Sequence, residues 1–325
     1  MMYNFSYFRP LERRLSLRAL AVICAALACQ ISAVRAAQFA LPPADIALIG
    51  SIETEIAAHD DTLVDIARRH GVGRDEIAAA NPKLNTWLPG EGAEVVLPTR
   101  YILPDAPREG IVVNLPEMRL YRYAQEYGKA IVSTHPVSVG RVDWETPLGR
   151  ARIVRKQKDP NWYPPESIRA EHAAEGDPLP KMVPAGPDNP LGQHALRLNL
   201  PGYLIHGTNK PWGVGMRVTH GCLRMYPEDI EYLYNTVAVD TPVHLVNQPM
   251  KMAEHLGVWF VEVHPSLDEA PNDVTAMLRE IVVTVARTSK TGQRVNIPAL
   301  RDILAAESGV PTAVPLSDPL ALAQH

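Results

Sequence analysis

Cysteine is scarce in this chain, with three residues in 325, at positions 24, 29 and 222. An odd count cannot pair completely within one molecule, so a scaffold stapled throughout by disulfides is excluded and at least one thiol has no internal partner. No long tract of lysine and arginine occurs, and the balance is acidic, 32 basic against 36 acidic side chains. Nucleic-acid binding needs clustered cations to neutralise phosphates and is therefore not expected. Uninterrupted apolar runs stay short of the ~20 residues that a membrane-spanning helix requires. Charged residues of both signs make up 21% and hydrophobic residues 46% of the chain. That mixture fits a soluble globular body of two or three domains and excludes wholesale disorder. The 30 prolines are spread without a repeat, which predicts many turns and short strands, not a stiff linker.

The first 18 residues hold Arg9, Arg13, Arg14 and Arg18 against the single acid Glu12. An apolar stretch, Ala19 to about Val34, follows, interrupted by Gln30 and Ser32, and Val34 and Ala36 offer tolerated residues at the −3 and −1 sites of a cleavage point. This order of basic, apolar and small residues is that of a secretory signal peptide, residues 1–36. Cleavage near Ala36 removes Cys24 and Cys29. Cys222 then remains alone in an oxidising compartment, where a lone cysteine is either an inert buried thiol or a reactive one.

Residues 45–100 read as a small module in the order strand, helix, helix, strand. Thr54 and Ile56 begin it, Asp60 or Asp61 is the expected N-cap of a helix with Leu63, Ile66 and Ala67 on one face, and Gly71 ends that helix. A second helix from about Arg74 to Ala80 has Asp75 and Glu76 in its first turn, and Asn81-Pro82 stops it. The run Asp61-Thr62-Leu63, Ile66 to Val72, Ala80-Asn81-Pro82 and Leu88-Pro89-Gly90 resembles a LysM domain, a peptidoglycan- and chitin-binding module.

From 101 to 247 short β-type runs dominate: Gly110 to Asn114, Met118 to Tyr123, Ile131 to Val139, Ala151 to Val154, Ala195 to Leu200, Tyr203 to Ile205 and Val243 to Val246. One helix is predicted, opened by Pro227 with Glu228 and Asp229 in its first turn. Many short strands with one helix predict a β-rich sandwich or half-barrel. A proline-rich excursion from Pro160 to Pro190 interrupts it and is a candidate lid. Residues 248–325 form a third, α+β piece of unassigned role, with a strand at Trp259 to Val263, helices at Val274 to Val285 and Pro298 to Ala306, and a loose tail from Gly309.

Reactive side chains concentrate in Tyr203 to Thr208 and Val218 to Arg224. A nearby imidazole lowers a thiol's pKa by holding the proton as imidazolium, so His206 and His220 are both candidate bases for Cys222. His206 closes an apolar strand, a rigid place from which to aim a ring, and is preferred. Its orienting partner is expected to be a backbone carbonyl or hydroxyl, because no acid lies between Gly207 and Tyr226. Gly221 before the nucleophile exposes backbone N–H groups, which makes His220, Gly221 and Cys222 the candidate oxyanion hole. Arg224, with Thr219, Tyr203 and Trp212, either contacts substrate or holds the loop.

Ile205-His206-Gly207 with Thr219-His220-Gly221-Cys222-Leu223-Arg224 resembles the signature of the L,D-transpeptidases with a YkuD-type catalytic domain. The likeness extends through Pro104 to Gly110, Thr146 to Gly149 and Pro227 to Ile230, and with the LysM-like module it resembles the Gram-negative periplasmic members. The resemblance implies a YkuD-like β-rich catalytic domain and attack by Cys222 on the bond between diaminopimelate and D-alanine in a peptidoglycan tetrapeptide stem. D-alanine leaves, and the thioacyl group passes to an amine, either another stem's diaminopimelate or the C-terminal lysine of an outer-membrane lipoprotein. His206 would carry the proton, oriented by the carbonyl of Gly207. No cofactor or metal is implied.

Three rivals are weaker. A papain-like or NlpC-type peptidase hydrolysing the same bond places cysteine before histidine, whereas here His206 precedes Cys222. A zinc site from His206, His220 and Cys222 lacks a paired metal-binding spacing and second-shell acids. A pure peptidoglycan-binding protein would not require histidine, glycine and cysteine together.

Overall fold

The computed structural model describes residues 37–288 and 294–317. The expected signal peptide, 1–36, lies outside the described residues together with Cys24 and Cys29.

Strands β1 (Ala37–Ala40), β2 (Leu48–Gly50) and β3 (Glu53–Ile56) precede helices α1 (Leu63–Arg69) and α2 (Arg74–Ala80) and strands β4 (Glu94–Leu97) and β5 (Arg100–Ile102). β3 and β4 pair antiparallel, so the expected order of strand, two helices and strand is found. Thr62, and not Asp60 or Asp61, caps α1. Its hydroxyl accepts from the Asp65 N–H at 3.1 Å while the Asp65 carboxylate accepts from the Thr62 N–H, a reciprocal capping box. The Asp61 carboxylate is already occupied by the Ala58 N–H and by Arg69. Leu63, Ile66, Val72, Ile77, Val95 and Leu97 make the small core. Buried Asn81 ties α2 to β4, donating to Ile77 O and Val96 O and accepting from the Val96 N–H.

The central body contains β6 (Gly110–Asn114), β7 (Arg119–Glu126), β8 (Lys129–Gly140), β9 (Gly149–Lys158), α3 (Glu166–Ala174), β10 (His194–Leu198), β11 (Leu204–His206), β12 (Arg217–Thr219), β13 (Leu223–Met225), α4 (Pro227–Thr236) and β14 (Pro242–Val246). The strand order β8-β13-β11-β10-β9-β14-β6-β7 returns to β8, so the expected sandwich is a closed, barrel-like sheet. Length is the reason. β8 pairs with β7 over Lys129 to Pro136 and then with β13 at Val137 and Ser138. β9 pairs with β14 over Gly149 to Arg152 and then with β10 from Ile153 onward. Each of these two long strands serves both layers and joins them. Ile111, Val113 and Leu120 from one layer meet Val137, Leu196, Ile205, Leu223 and Met225 from the other in the main core, with Ile230 and Leu233 of α4.

The proline-rich excursion, in which no helix is expected, carries α3. Pro164-Pro165 presets its start, Glu166 favours the first turn, and Ile168 is its buried apolar residue. A bridge between Trp162 and Val183 closes the base of the excursion.

The C-terminal piece is formed by β15 (Met250–His255), β16 (Val258–Val263), α5 (Val274–Thr288), β17 (Arg294–Val295), α6 (Ile297–Ala306), β18 (Thr312–Ala313) and β19 (Leu316–Ser317). The tail is not loose as far as Ser317. β18 pairs with β16, β19 pairs with β17, and Val314 is buried with its N–H on Trp259 O at 2.8 Å. Lys251 locks this piece to the rest. Its buried ammonium lies 2.7 Å from both Glu117 and Glu262 and 2.6 Å from Ile102 O; removing one partner of such a buried pair costs ~3–5 kcal/mol. Among the described residues no helix is long and apolar enough to cross a membrane.

Candidate active site

β11 and β13 are parallel neighbours in the register Ile205↔Leu223 and His206↔Arg224. Side chains alternate along a strand, so Ile205 and Leu223 enter the core while His206 and Arg224 share the opposite face, and Cys222 stands immediately before β13. Across β11, Ala195 of β10 lies opposite His206 and leaves room for the ring.

The His206 ring is 5% exposed, and Nδ1 lies 2.7 Å from the carbonyl oxygen of Gly207. A carbonyl only accepts, so Nδ1 bears the proton and Nε2 is the nitrogen left with a lone pair. Burial, reinforced by the charge of Arg224 and opposed by the Gly207 carbonyl, lowers its pKa from 6.5 to about 3. Cys222 is half-buried, with Sγ 3.5 Å from Gly202 O. Burial pushes its thiol above the ordinary value, against the pull of the Leu204 N–H, Arg197 and Arg224. The expectation of an imidazole that lowers the thiol pKa as imidazolium is therefore corrected for the resting state. Desolvation disfavours both charged forms, and the site holds a neutral thiol and a neutral ring.

The turn before Cys222 is held by Thr219. Its hydroxyl donates to Cys222 O at 2.6 Å and accepts from the Gly221 N–H at 3.2 Å. Of the three expected oxyanion donors, the Gly221 N–H is thus already engaged within the turn. Gly221 has φ +95°, and a Cβ there would lie 2.8 Å from Tyr203 Cε1; only glycine fits such a position without strain. Thr146 braces the same turn, donating to Gly221 O at 2.9 Å and accepting from the Gly140 N–H at 3.0 Å. The Tyr203 hydroxyl reaches Glu145 O at 3.4 Å. Trp212 is 55% exposed on the 3-10 turn Pro211–Gly213.

Arg224 is partly buried and its Nε has no hydrogen-bond partner among the described residues. Burial also disfavours its charge. A desolvated guanidinium without an acceptor is a ready site for a carboxylate.

His220 reaches toward the excursion. Its Nε2 lies 2.9 Å from Glu171 Oε2 on α3, and its ring meets Trp144 edge to face with centroids 5.0 Å apart. Glu171 is also paired with Arg141. Sequence reading missed Glu171 because it lies 49 positions from His220, in the proline-rich excursion for which no helix is expected. The available signal was Pro164-Pro165-Glu166, a helix opening.

Glu117, Glu262 and His264 bring three ligand atoms within 4.8 Å of one another. The Lys251 ammonium is already bonded to both carboxylates and supplies the counter-charge there.

Residues 108–245 match the family described as YkuD, the L,D-transpeptidase catalytic domain. The probable L,D-transpeptidase YcfS of Escherichia coli K12 is 38% identical over 280 residues, covering 84% of this chain and 87% of that protein. The probable L,D-transpeptidase ErfK/SrfK of Salmonella typhimurium is 39% identical over 292 residues, covering 87% and 93%. The probable L,D-transpeptidase YbiS of Escherichia coli K12 is 36% identical over 286 residues, covering 86% and 92%. With these relatives aligned over most of both chains, the protein belongs to the L,D-transpeptidase family and is an enzyme of that class.

Proposed function

We propose that Cys222 attacks the amide between diaminopimelate and the terminal D-alanine of a peptidoglycan tetrapeptide stem. One observation carries this reading. Cys222 directly precedes β13, the parallel neighbour of the strand that carries His206, and His206 Nδ1 is held on Gly207 O, so that Nε2 is the nitrogen able to take the thiol proton. The sulfur–carbon bond forms as the proton passes to Nε2. With the Gly221 N–H engaged by Thr219, the N–H groups of His220 and Cys222 stabilise the oxyanion, and the tetrahedral intermediate collapses by expelling D-alanine, whose amine receives the proton from His206. The thioester is then attacked by an amine that His206 deprotonates, and the thiol is regenerated. Arg224 binds a carboxylate of the stem, consistent with its unpartnered Nε. Thr219 and Tyr203 act through the turn, and Trp212 offers an exposed ring to substrate.

Residues 45–100 are read as a LysM module that retains the glycan, 101–247 as the catalytic domain and 248–325 as an extension. Residues 1–36 are read as a cleaved signal that directs the protein to the periplasm. The acceptor amine is a second stem or a lipoprotein's C-terminal lysine, and the same assay with each acceptor peptide separates cross-linking from anchoring.

Intact-protein mass spectrometry after incubation with tetrapeptide muropeptide or a carbapenem tests the reading. The expected result is a covalent adduct on wild type and none on Cys222→Ala. No adduct on reduced wild-type protein would overturn it. Sacculus pull-down with residues 45–100 deleted tests the module.

A further inference from the structure

The small N-terminal module grips the polypeptide on both sides of Cys222. Upstream of the cysteine, the first N–H groups of α2, which have no partner within their own helix, donate into the loop ahead of β12: Arg74 N–H to Val214 O at 3.0 Å and Asp75 N–H to Gly215 O at 3.2 Å. Gly73 and Gly215 meet here, and a Cβ on Gly215 would lie 2.4 Å from Gly73 Cα. The opposite side of that loop is held by Ser138, whose hydroxyl donates to Gly213 O at 2.7 Å. Downstream, Arg68 grips Glu228 with Nε and Nη2, both at 2.9 Å, and the buried Tyr226 hydroxyl donates to Val72 O at 3.1 Å. Arg119, fully buried in β7, closes the contact by pairing with Glu76 and donating to Gly71 O.

We infer that this module is a positioning element of the catalytic site: by fixing residues 214–216 and 226–228 it sets the conformation of the segment that carries Cys222. The inference rests on the reading of Cys222 as nucleophile. A module that serves only as a glycan tether would be joined by a free linker and would affect only reactions on polymeric wall. Here its backbone is bonded to the loop seven and eight residues before the cysteine. Any displacement of that loop is transmitted along β12, whose Thr219 holds the Cys222 turn.

The test uses the mature full-length chain and a carbapenem, an acyl donor too small to span the module and the cleft. Cys222 acylation is followed by mass spectrometry, the pH profile of its alkylation by iodoacetamide is recorded, and retention on sacculi is measured in parallel. Gly215→Ala is expected to slow acylation at least about tenfold, on the scale by which small misplacements of reacting groups cost rate, with sacculus retention unchanged. Arg68→Glu is expected to slow it too, and the swap of Arg68→Glu with Glu228→Arg to restore it. The swap keeps the test decisive if Gly215→Ala does not fold. Wild-type acylation rates and alkylation profiles in Gly215→Ala and Arg68→Glu would overturn the inference, whereas absence of any adduct on wild type would overturn the nucleophile assignment itself.

Discussion

His220 Nε2 is bonded to Glu171 Oε2 at 2.9 Å, so the residue two positions before Cys222 is held by a helix in the proline-rich excursion. Bonds from Arg141 and then His220 hold the Glu171 carboxyl below its ordinary range. The ionised form, and the latch with it, therefore persists as pH falls past the usual glutamate value and is lost only below the lowered one. Glu171→Ala is expected to free the excursion, raising its cleavage by a protease at neutral pH, and to lower kcat. Unchanged cleavage and kcat would show that the latch constrains nothing.

His206 predicts an acid-labile fold. Its folded pKa is about 3 against 6.5 for the ordinary ring. Between those values the unfolded chain binds one more proton than the folded one, and its contribution to stability falls as pH drops through that window. The slope of one proton is about 1.4 kcal/mol per pH unit at most. His206→Gln is expected to lose this slope, seen as a smaller decline of the urea midpoint between pH 6.5 and 4, and to lose activity by about 10²- to 10⁴-fold. Parallel declines in both proteins would refute the assignment of a neutral buried ring.

The thiol should titrate late. Iodoacetamide alkylation of free Cys222 is expected to rise with pH about a midpoint above that of an ordinary cysteine, because burial opposes the thiolate. Arg224→Gln removes a charge that favours the thiolate and should move the midpoint higher still. The same variant is expected to raise KM for tetrapeptide by about 10- to 100-fold, the loss of a charge-assisted bond to a carboxylate. A lower midpoint, or an unchanged KM, would contradict the two roles separately.

Gly221→Ala tests the turn. Its φ of +95° and the 2.8 Å approach to Tyr203 Cε1 leave no room for a methyl group. A loss of about 1–3 kcal/mol in stability and a fall in acylation rate are expected by urea denaturation and mass spectrometry. A variant of wild-type stability and rate would show that the turn relaxes freely.

Much was legible because the deciding physics is local. The glycine turn before Cys222, α4 opened by Pro227 and both helices of the small module follow from composition, spacing and helix-end chemistry. Where reading failed, another contact outcompeted the local signal. Asp61 was displaced as a cap by the Thr62 and Asp65 pair, and the tail from Gly309 was recruited by β16 and β17.

By itself the sequence determined the order in which histidine, glycine and cysteine stand and the local backbone around them, since chemical type and local backbone preference need no distant partner. Only the tertiary structure decided their state. Closure of the sheet through β8 and β9 buried the His206 ring and half-buried Cys222, and that burial disfavours the charged form of each. Glu171 reached His220 from 49 positions away, and the module closed on both flanks of Cys222. Burial and long-range contact are properties of the folded surface as a whole, and no window of sequence contains them.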